Sequence, residues 1–211
     1  MRVVAEPPAV AEIEIADEAD AWRAAGFLVD DDRAQVGRIT LRLTGRASGK
    51  RIRSWTRHGL RGDGSMDGLV TRAGERPTSA PGAHPNGATL LDHIVVVTPR
   101  LDRSIAAFAT RGLDVRRTRH TDQYGPAFRQ VFFRGGETII EMIGPDEPAP
   151  DDERAAHFYG LAFTVADLDA AANHLGDRLG RIKDAVQPGR RIATLRHETY
   201  DISVPIALMS A

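Results

Sequence analysis

The order of strands and helices recurs along this chain, and this recurrence limits its fold more than any other feature. Residues 10–60, 91–145 and 158–210 each begin with a strand-like run, continue into a short helix and end in further strand-like runs. A repeat of this length is typical of a fold built from copies of one supersecondary unit. One unit cannot bury its own sheet, so the units are expected to pair.

The middle unit shows the pattern most clearly. Its first strand-like run, 92–97, is followed by Thr98 and Pro99, which predict a helix start at that point. Two further strand-like runs follow at 129–134 and 138–143. The unit is therefore predicted to have the order βαβββ.

The third unit repeats this order, and the first repeats it more loosely. In the third unit, a strand at 161–165 leads to Asp167, a favoured residue type for capping a helix, and strands follow at 191–197 and 202–209. We therefore predict an α+β fold of βαβββ modules.

The predicted domain organisation has three parts. Residues 1–60 form an N-terminal βαβββ-like module, and residues 61–90 form a linker rich in glycine and proline. Residues 91–211 form one domain made of the modules 91–145 and 158–210.

Charge and composition exclude several classes of function. The formal net charge is −1, which gives no overall electrostatic attraction for nucleic acid. No apolar run approaches the roughly 20 residues that cross a bilayer, and the first residues lack the apolar core of a signal peptide. Without cysteine, disulfides and thiolate nucleophiles are excluded. We expect a cytoplasmic protein with no nucleic-acid or membrane partner.

The second and third units resemble the glyoxalase / bleomycin-resistance / dihydroxybiphenyl-dioxygenase family, the vicinal oxygen chelate superfamily. The resemblance lies in Leu-Asp-His-Ile-Val-Val at 91–96, Arg-Gln-Val-Phe-Phe at 129–133, Thr-Ile-Ile-Glu-Met-Ile-Gly at 138–144 and Gly-Leu-Ala-Phe-Thr-Val-Ala-Asp-Leu at 160–168. It implies that paired modules form an open half-barrel with a small-molecule pocket inside. The superfamily includes isomerases, dioxygenases and drug-binding proteins, so the fold alone does not choose a reaction.

His93 and Glu141 are the candidate catalytic residues. The resemblance implies that both side chains enter the half-barrel and that histidine and glutamate at these places are metal ligands. Glu141 stands in an apolar run, where a buried carboxylate must be paired, metal-bound or protonated. The alternative for His93 is a buried histidine satisfied by its neighbour Asp92.

Half of the usual metal-ligand set is absent. In the third unit, Leu161 corresponds to His93, and Ala207 (or Pro205, one pleat away) corresponds to Glu141. A divalent metal at His93 and Glu141 would need further donors from Gln130, from His197 or from a second chain. Without a metal, Glu141 and His93 are predicted to act together as an acid/base pair, in which the pKa of Glu141 is raised by burial.

The remaining pocket residues are predicted from strand alternation and aromatic content. Arg116, Arg117 and Arg119 are interpreted instead as a solvated strand face. The predicted pocket consists of Val95, Gln130, Phe132, Tyr159, Leu161 and Phe163.

Three functions fit this pattern. The first is a glyoxalase-type isomerase or lyase that acts on a small oxygenated substrate. The second is a metal-free protein that binds or sequesters a small molecule, and the third is a scaffold for assembly. An odd number of units leaves one sheet face uncovered, which predicts a homodimer.

Overall fold

The computed structural model describes residues 8–77, 80–122 and 127–211, which form two β-sheets and three α-helices. In chain order, the elements are β1 (Ala9–Ile15), α1 (Ala19–Ala24), β2 (Arg33–Val36), β3 (Ile39–Leu43), β4 (Ile52–His58), β5 (Gly64–Met66), β6 (Leu69–Ala73), β7 (Ala88–Val97), α2 (Leu101–Ala109), β8 (Arg117–Thr121), β9 (Phe128–Gly135), β10 (Thr138–Pro145), β11 (His157–Val165), α3 (Leu168–Leu175), β12 (Lys183–Asp184), β13 (Arg191–Leu195) and β14 (Ile206–Met209).

The larger sheet consists of two βαβββ modules that are joined edge to edge. Its strand order is β12-β13-β14-β11-β7-β10-β9-β8. In each module the first strand pairs in parallel with the last, as β7 does with β10 and β11 with β14. The first strands of the two modules, β7 and β11, pair antiparallel at the centre. The predicted α+β fold with paired βαβββ modules in an open half-barrel is confirmed.

The N-terminal sheet differs from the single βαβββ module expected in residues 1–60. Its strand order is β2-β3-β1-β4-β6-β5. Strand β1 therefore pairs with β3 on one side and with β4 on the other, and β6 and β5 extend the sheet beyond β4. The sheet therefore contains two shortened units, and the second has no helix. The β5–β6 hairpin lies inside the stretch expected to be a linker. The turn of this hairpin has positive φ at both Asp67 and Gly68. Aspartate and glycine, which favoured a loop in the sequence, here form the tight turn between two paired strands.

Aromatic side chains join the two sheets into one core. Phe163 of β11 contacts Trp22 and Phe27, with ring centroids 6.5 and 5.1 Å apart. The ring centroids of Trp55 in β4 and Phe158 in β11 are 5.2 Å apart. The apolar face of the N-terminal sheet is thus covered within the chain. The uncovered face that suggested a homodimer is not present, and assembly into a dimer stays a prediction.

The helices are short and packed against this core. Helix α3 is capped as predicted, because Asp167 accepts hydrogen bonds from the N–H groups of Asp169 and Ala170. Helix α2 begins two residues later than expected, with Arg100 at its N-cap, and Thr98 accepts hydrogen bonds from Arg100 N–H and from the Ser104 hydroxyl. Across the described part of the chain, no helix has the length and apolar character that a bilayer crossing requires.

Candidate active site

One face of the larger sheet packs into the core and the other lines the half-barrel; we call the second the cup face. On β10, Ile140 and Met142 are fully buried in the core, whereas Glu141 between them is half-buried on the cup face. On β7, Val96 is fully buried and Val95 is only half-buried. This alternation follows from the two-residue period of a strand.

His93 and Glu141 share the cup face. Across the parallel pair of β7 and β10, Ile139 lies beside His93, and Glu141 lies beside Val95. Strands are about 4.8 Å apart and rise about 3.3 Å per residue, so the Cα atoms of His93 and Glu141 are about 8 Å apart. Both side chains can therefore contact one small molecule.

The surroundings of Glu141 shift the pKa of its carboxyl group. Burial raises the pKa of Glu141 above its ordinary value, while the charge of His93, a hydrogen bond from Gln130 and the charge of Arg119 act in the opposite direction. The Gln130 hydrogen bond joins Nε2 to Oε1 at 2.5 Å. A carboxyl group with a raised pKa is a stronger base in its ionised form than an ordinary glutamate, which suits it to remove a proton.

A bulge in β7 places Asp92 beside His93. The pairing of β7 with β11 passes from Ala162 opposite His93 to Phe163 opposite Leu91, so Asp92 has no partner in the ladder. Bulges re-aim side chains that a regular strand would send to opposite faces. As a result, Asp92 Oδ1 lies 2.6 Å from His93 Nδ1, in a close ionic contact without the alignment of a hydrogen bond.

Two residues from distant parts of the chain hold Asp92. Its Oδ2 atom accepts hydrogen bonds from Thr164 Oγ1 at 2.7 Å and from Arg190 Nη2 at 2.6 Å. Burial alone would raise the pKa of Asp92, but the contacts with His93, Arg190 and Thr164 outweigh burial and lower it well below its usual range. Asp92 is therefore an anion, and it contacts the imidazole ring of His93 at Nδ1 and not at Nε2. Sequence reasoning paired Asp92 with His93 but did not find Thr164 or Arg190.

The structure separates the predicted pocket residues into two sets. Val95, Gln130 and Phe132 lie on the cup face, where Phe132 and Val95 flank Glu141 on the neighbouring strands. Leu161 and Phe163 do not line the cup. Their side chains are 2% and 0% exposed in the core between the sheets.

Tyr159 lies at a second bulge, between Phe158 and Gly160, and its side chain is exposed. His197, proposed as an added donor, lies in the 3₁₀ turn His197–Tyr200, where its Nδ1 is 2.7 Å from the carbonyl oxygen of Ile202.

An open cavity of about 570 Å³ adjoins the cup face beside the Glu141 row. Cavities of this size accommodate small organic molecules. Val97 and Ile143, which continue the cup face past Val95 and Glu141, form part of its wall, together with Phe128, Pro145, Arg154 and His157.

The opposing wall of the cup supplies no metal donor. Ala162 lies beside His93, Gly160 lies beside Val95, and Ala207 pairs with Ala162. In residues 8–77, 80–122 and 127–211, no group of three or more His, Asp or Glu residues is arranged to hold a metal ion. Zinc and iron(II) sites use at least three protein ligands, so His93 and Glu141 alone do not complete such a site.

Comparison with known proteins agrees with this architecture. The model of the Glyoxalase/Bleomycin resistance protein/Dioxygenase superfamily matches residues 90–196, just over half of the chain. Among curated proteins, no sequence matches significantly.

Several solved structures are similar to the chain. A mutant of 4-hydroxymandelate synthase from Streptomyces coelicolor is 15% identical, with a TM-score of 0.66, and the match covers 97% of this chain and 93% of that one. A fusion of a xylose isomerase-like TIM barrel with 4-hydroxyphenylpyruvate dioxygenase is 11% identical with a TM-score of 0.64, over 96% of this chain and 48% of that one. Methylmalonyl-CoA epimerase from Mycobacterium tuberculosis is 24% identical with a TM-score of 0.46, over 59% and 89% of the two chains. The first two likenesses concern the fold and extend over both sheets.

Proposed function

Because this chain belongs to the Glyoxalase/Bleomycin resistance protein/Dioxygenase superfamily, we propose that its cup binds a small oxygenated molecule and catalyses proton transfer on it, as an isomerase or lyase does. The observation that supports this most is the position of Glu141. It is a half-buried carboxyl group with a raised pKa, and it shares the cup face with His93.

In the proposed step, the Glu141 carboxylate removes a proton from a carbon next to a carbonyl group. The electron pair of the broken C–H bond moves into an enolate. Return of the proton to a neighbouring atom completes an isomerisation, and loss of a leaving group completes an elimination. His93, which Asp92 holds in place, contacts the substrate oxygen through Nε2.

Proteins of this superfamily often use a divalent metal, which polarises a carbonyl oxygen when it is bound. The cup of this chain offers two donor residues, and Glu141 is already hydrogen-bonded to Gln130. The roles assigned to Glu141 and His93 therefore require no metal. Metal analysis of protein purified without chelator tests this point, since one equivalent per chain that is lost in both His93→Ala and Glu141→Ala would contradict a metal-free site.

Hydrogen–deuterium exchange measures the proposed step directly. The protein is incubated in D₂O with small carbonyl compounds, beginning with dihydroxyacetone and 2-oxobutyrate, and loss of the carbon-bound proton is followed by NMR. Glu141→Gln, which keeps the shape and removes the base, should lower the exchange rate by about 10²- to 10⁴-fold. Glu137→Gln is the matched control, because Glu137 is exposed at 55% in the turn between β9 and β10 and its side chain lies 3.8 Å from Arg38. Exchange that is equally fast in the wild type and in Glu141→Gln contradicts the proposal.

A second function, sequestration of a small molecule, is favoured by the cavity of about 570 Å³. Its wall includes Val97, Phe128, Ile143 and Pro145, and such a surface holds an apolar ligand without any chemical step. Tight binding of a ligand with no exchange, and with an affinity unchanged in Glu141→Gln, would favour this function over the first.

A further inference from the structure

Strand β8 places an arginine on the cup face. Arg119 lies beside Gln130 of β9, and Gln130 lies beside Ile143 of β10, so the three side chains form one row on the face that carries Glu141. Arg117 lies one row away, beside Phe132, and is exposed, whereas Arg119 is half-buried. The solvated strand face expected for these arginines therefore does not describe Arg119.

The guanidinium group of Arg119 has no hydrogen-bond or ion-pair partner among residues 8–77, 80–122 and 127–211, although it lies close enough to Glu141 to lower its pKa. Two other arginines that are partly buried at this sheet are paired. Arg190 is paired with Asp92 at 2.6 Å, and Arg129 with Asp102 at 3.1 Å and Asp146 at 3.3 Å. A half-buried charge loses part of its hydration and is normally compensated by a partner. Among the described residues, Glu141 is the carboxylate that Arg119 influences, and no carboxylate is within ion-pair or hydrogen-bond distance of its guanidinium group.

We propose that Arg119 binds a carboxylate group of the substrate, so that the substrate is a small oxo acid. This inference rests on the proposed function of the same site. Arg119 is two strands and two residues away from Glu141, which corresponds to about 12 Å between their Cα atoms. In the proposed complex, the carboxylate of the substrate lies against Arg119 and the acidic carbon lies against Glu141.

The charge balance favours this arrangement. A carboxylate bonded to the carbonyl carbon opposes formation of a second negative charge in the enolate, and a guanidinium group bound to that carboxylate lowers this penalty. Arginine also binds a carboxylate through two parallel hydrogen bonds, which orients the ligand. A phosphate group carries more charge and needs more donors than the one half-buried guanidinium of Arg119 provides, so the carboxylate is the better match.

Binding measurements with 2-oxobutyrate and its uncharged methyl ester test the inference. We expect 2-oxobutyrate to bind the wild type at millimolar concentration, and its Kd to rise about 10- to 100-fold in Arg119→Gln. Arg119→Lys should lie between the two. The ester should bind the wild type and Arg119→Gln equally. Arg116→Ala is the control, because Arg116 is exposed and only its backbone N–H is engaged, with Phe132. Equal melting temperatures of all variants would show that each one folds.

Each result either supports or overturns the carboxylate assignment. The assignment is wrong if the ester binds the wild type as tightly as the acid, if neither binds, or if dihydroxyacetone phosphate binds with a clear preference over 2-oxobutyrate. The same ligands separate this inference from the proposed function. Glu141→Gln should still bind 2-oxobutyrate while losing proton exchange, whereas Arg119→Gln should lower exchange with 2-oxobutyrate by a larger factor than exchange with dihydroxyacetone, which has no carboxylate.

Discussion

Replacing Phe163 with alanine should lower the free energy of unfolding much more than replacing Phe132 does, although both phenylalanines belong to the larger sheet. Phe163 is 0% exposed and contacts Trp22 and Phe27 in the core between the sheets. Phe132 is half-buried on the cup face, opposite Glu141. The comparison tests which face of the larger sheet is core and which face is open to a ligand.

The expected magnitudes follow from burial. Replacing a fully buried phenylalanine with alanine costs about 3–5 kcal/mol, and the loss of two aromatic contacts places Phe163→Ala at about 4 kcal/mol. Phe132 hides only part of its surface, so Phe132→Ala should cost about 1–2 kcal/mol. Because about 4 kcal/mol is a large share of the stability of a typical domain, Phe163→Leu serves as a milder variant of the same site.

Urea unfolding followed by tryptophan fluorescence is the appropriate assay. The chain has two tryptophans, and both Trp22 and Trp55 are buried in the core that joins the sheets. Phe163→Ala should shift the midpoint well below that of Phe132→Ala at a similar slope. Equal losses for the two variants, or a larger loss for Phe132→Ala, would refute the assignment of the faces.

Four further predictions concern charge and assembly. Asp92→Asn leaves the Arg190 charge without its carboxylate and should lower the free energy of unfolding in urea by about 3 kcal/mol at neutral pH. Folding lowers the pKa of Asp92, so the stabilisation by wild-type Asp92 is lost progressively as pH falls below about 4. The difference in stability between the wild type and Asp92→Asn should therefore shrink at acid pH. Folding raises the pKa of Glu141, so the contribution of Glu141 to stability is present at acid pH and is lost as pH rises. The melting temperature of Glu141→Gln should therefore exceed that of the wild type near neutral pH but not at about pH 4. Arg57 is fully buried, and its Nε and Nη2 atoms have no partner in the described structure. Burial, and to a smaller extent the charge of Arg111, lowers the pKa of Arg57 to about 10. Arg57→Met should therefore raise the free energy of unfolding by about 1–3 kcal/mol and also raise the melting temperature. Sedimentation equilibrium should give twice the 23.0 kDa chain mass if the homodimer forms, and a mass of one chain would contradict it.

The sequence by itself determined the modular order of the larger sheet and the face shared by two candidate residues. The strands that carry His93 and Glu141 follow from local runs of apolar residues, and the family resemblance implied that both side chains enter the half-barrel. The capping of α3 by Asp167 is equally local, since the acceptor and both N–H donors lie within three residues.

Only the tertiary structure decided the rest. Strand β11 is apolar on both faces, so alternation carries no information there, and its bulge at Tyr159 shifts the phase so that Leu161 and Phe163 face the core. Arg190 reaches Asp92 from 98 residues away, and Arg119 is placed on the cup face by its register with β9. Such positions depend on which strands pair and in what register. They are therefore set by long-range contacts that a local sequence pattern does not contain.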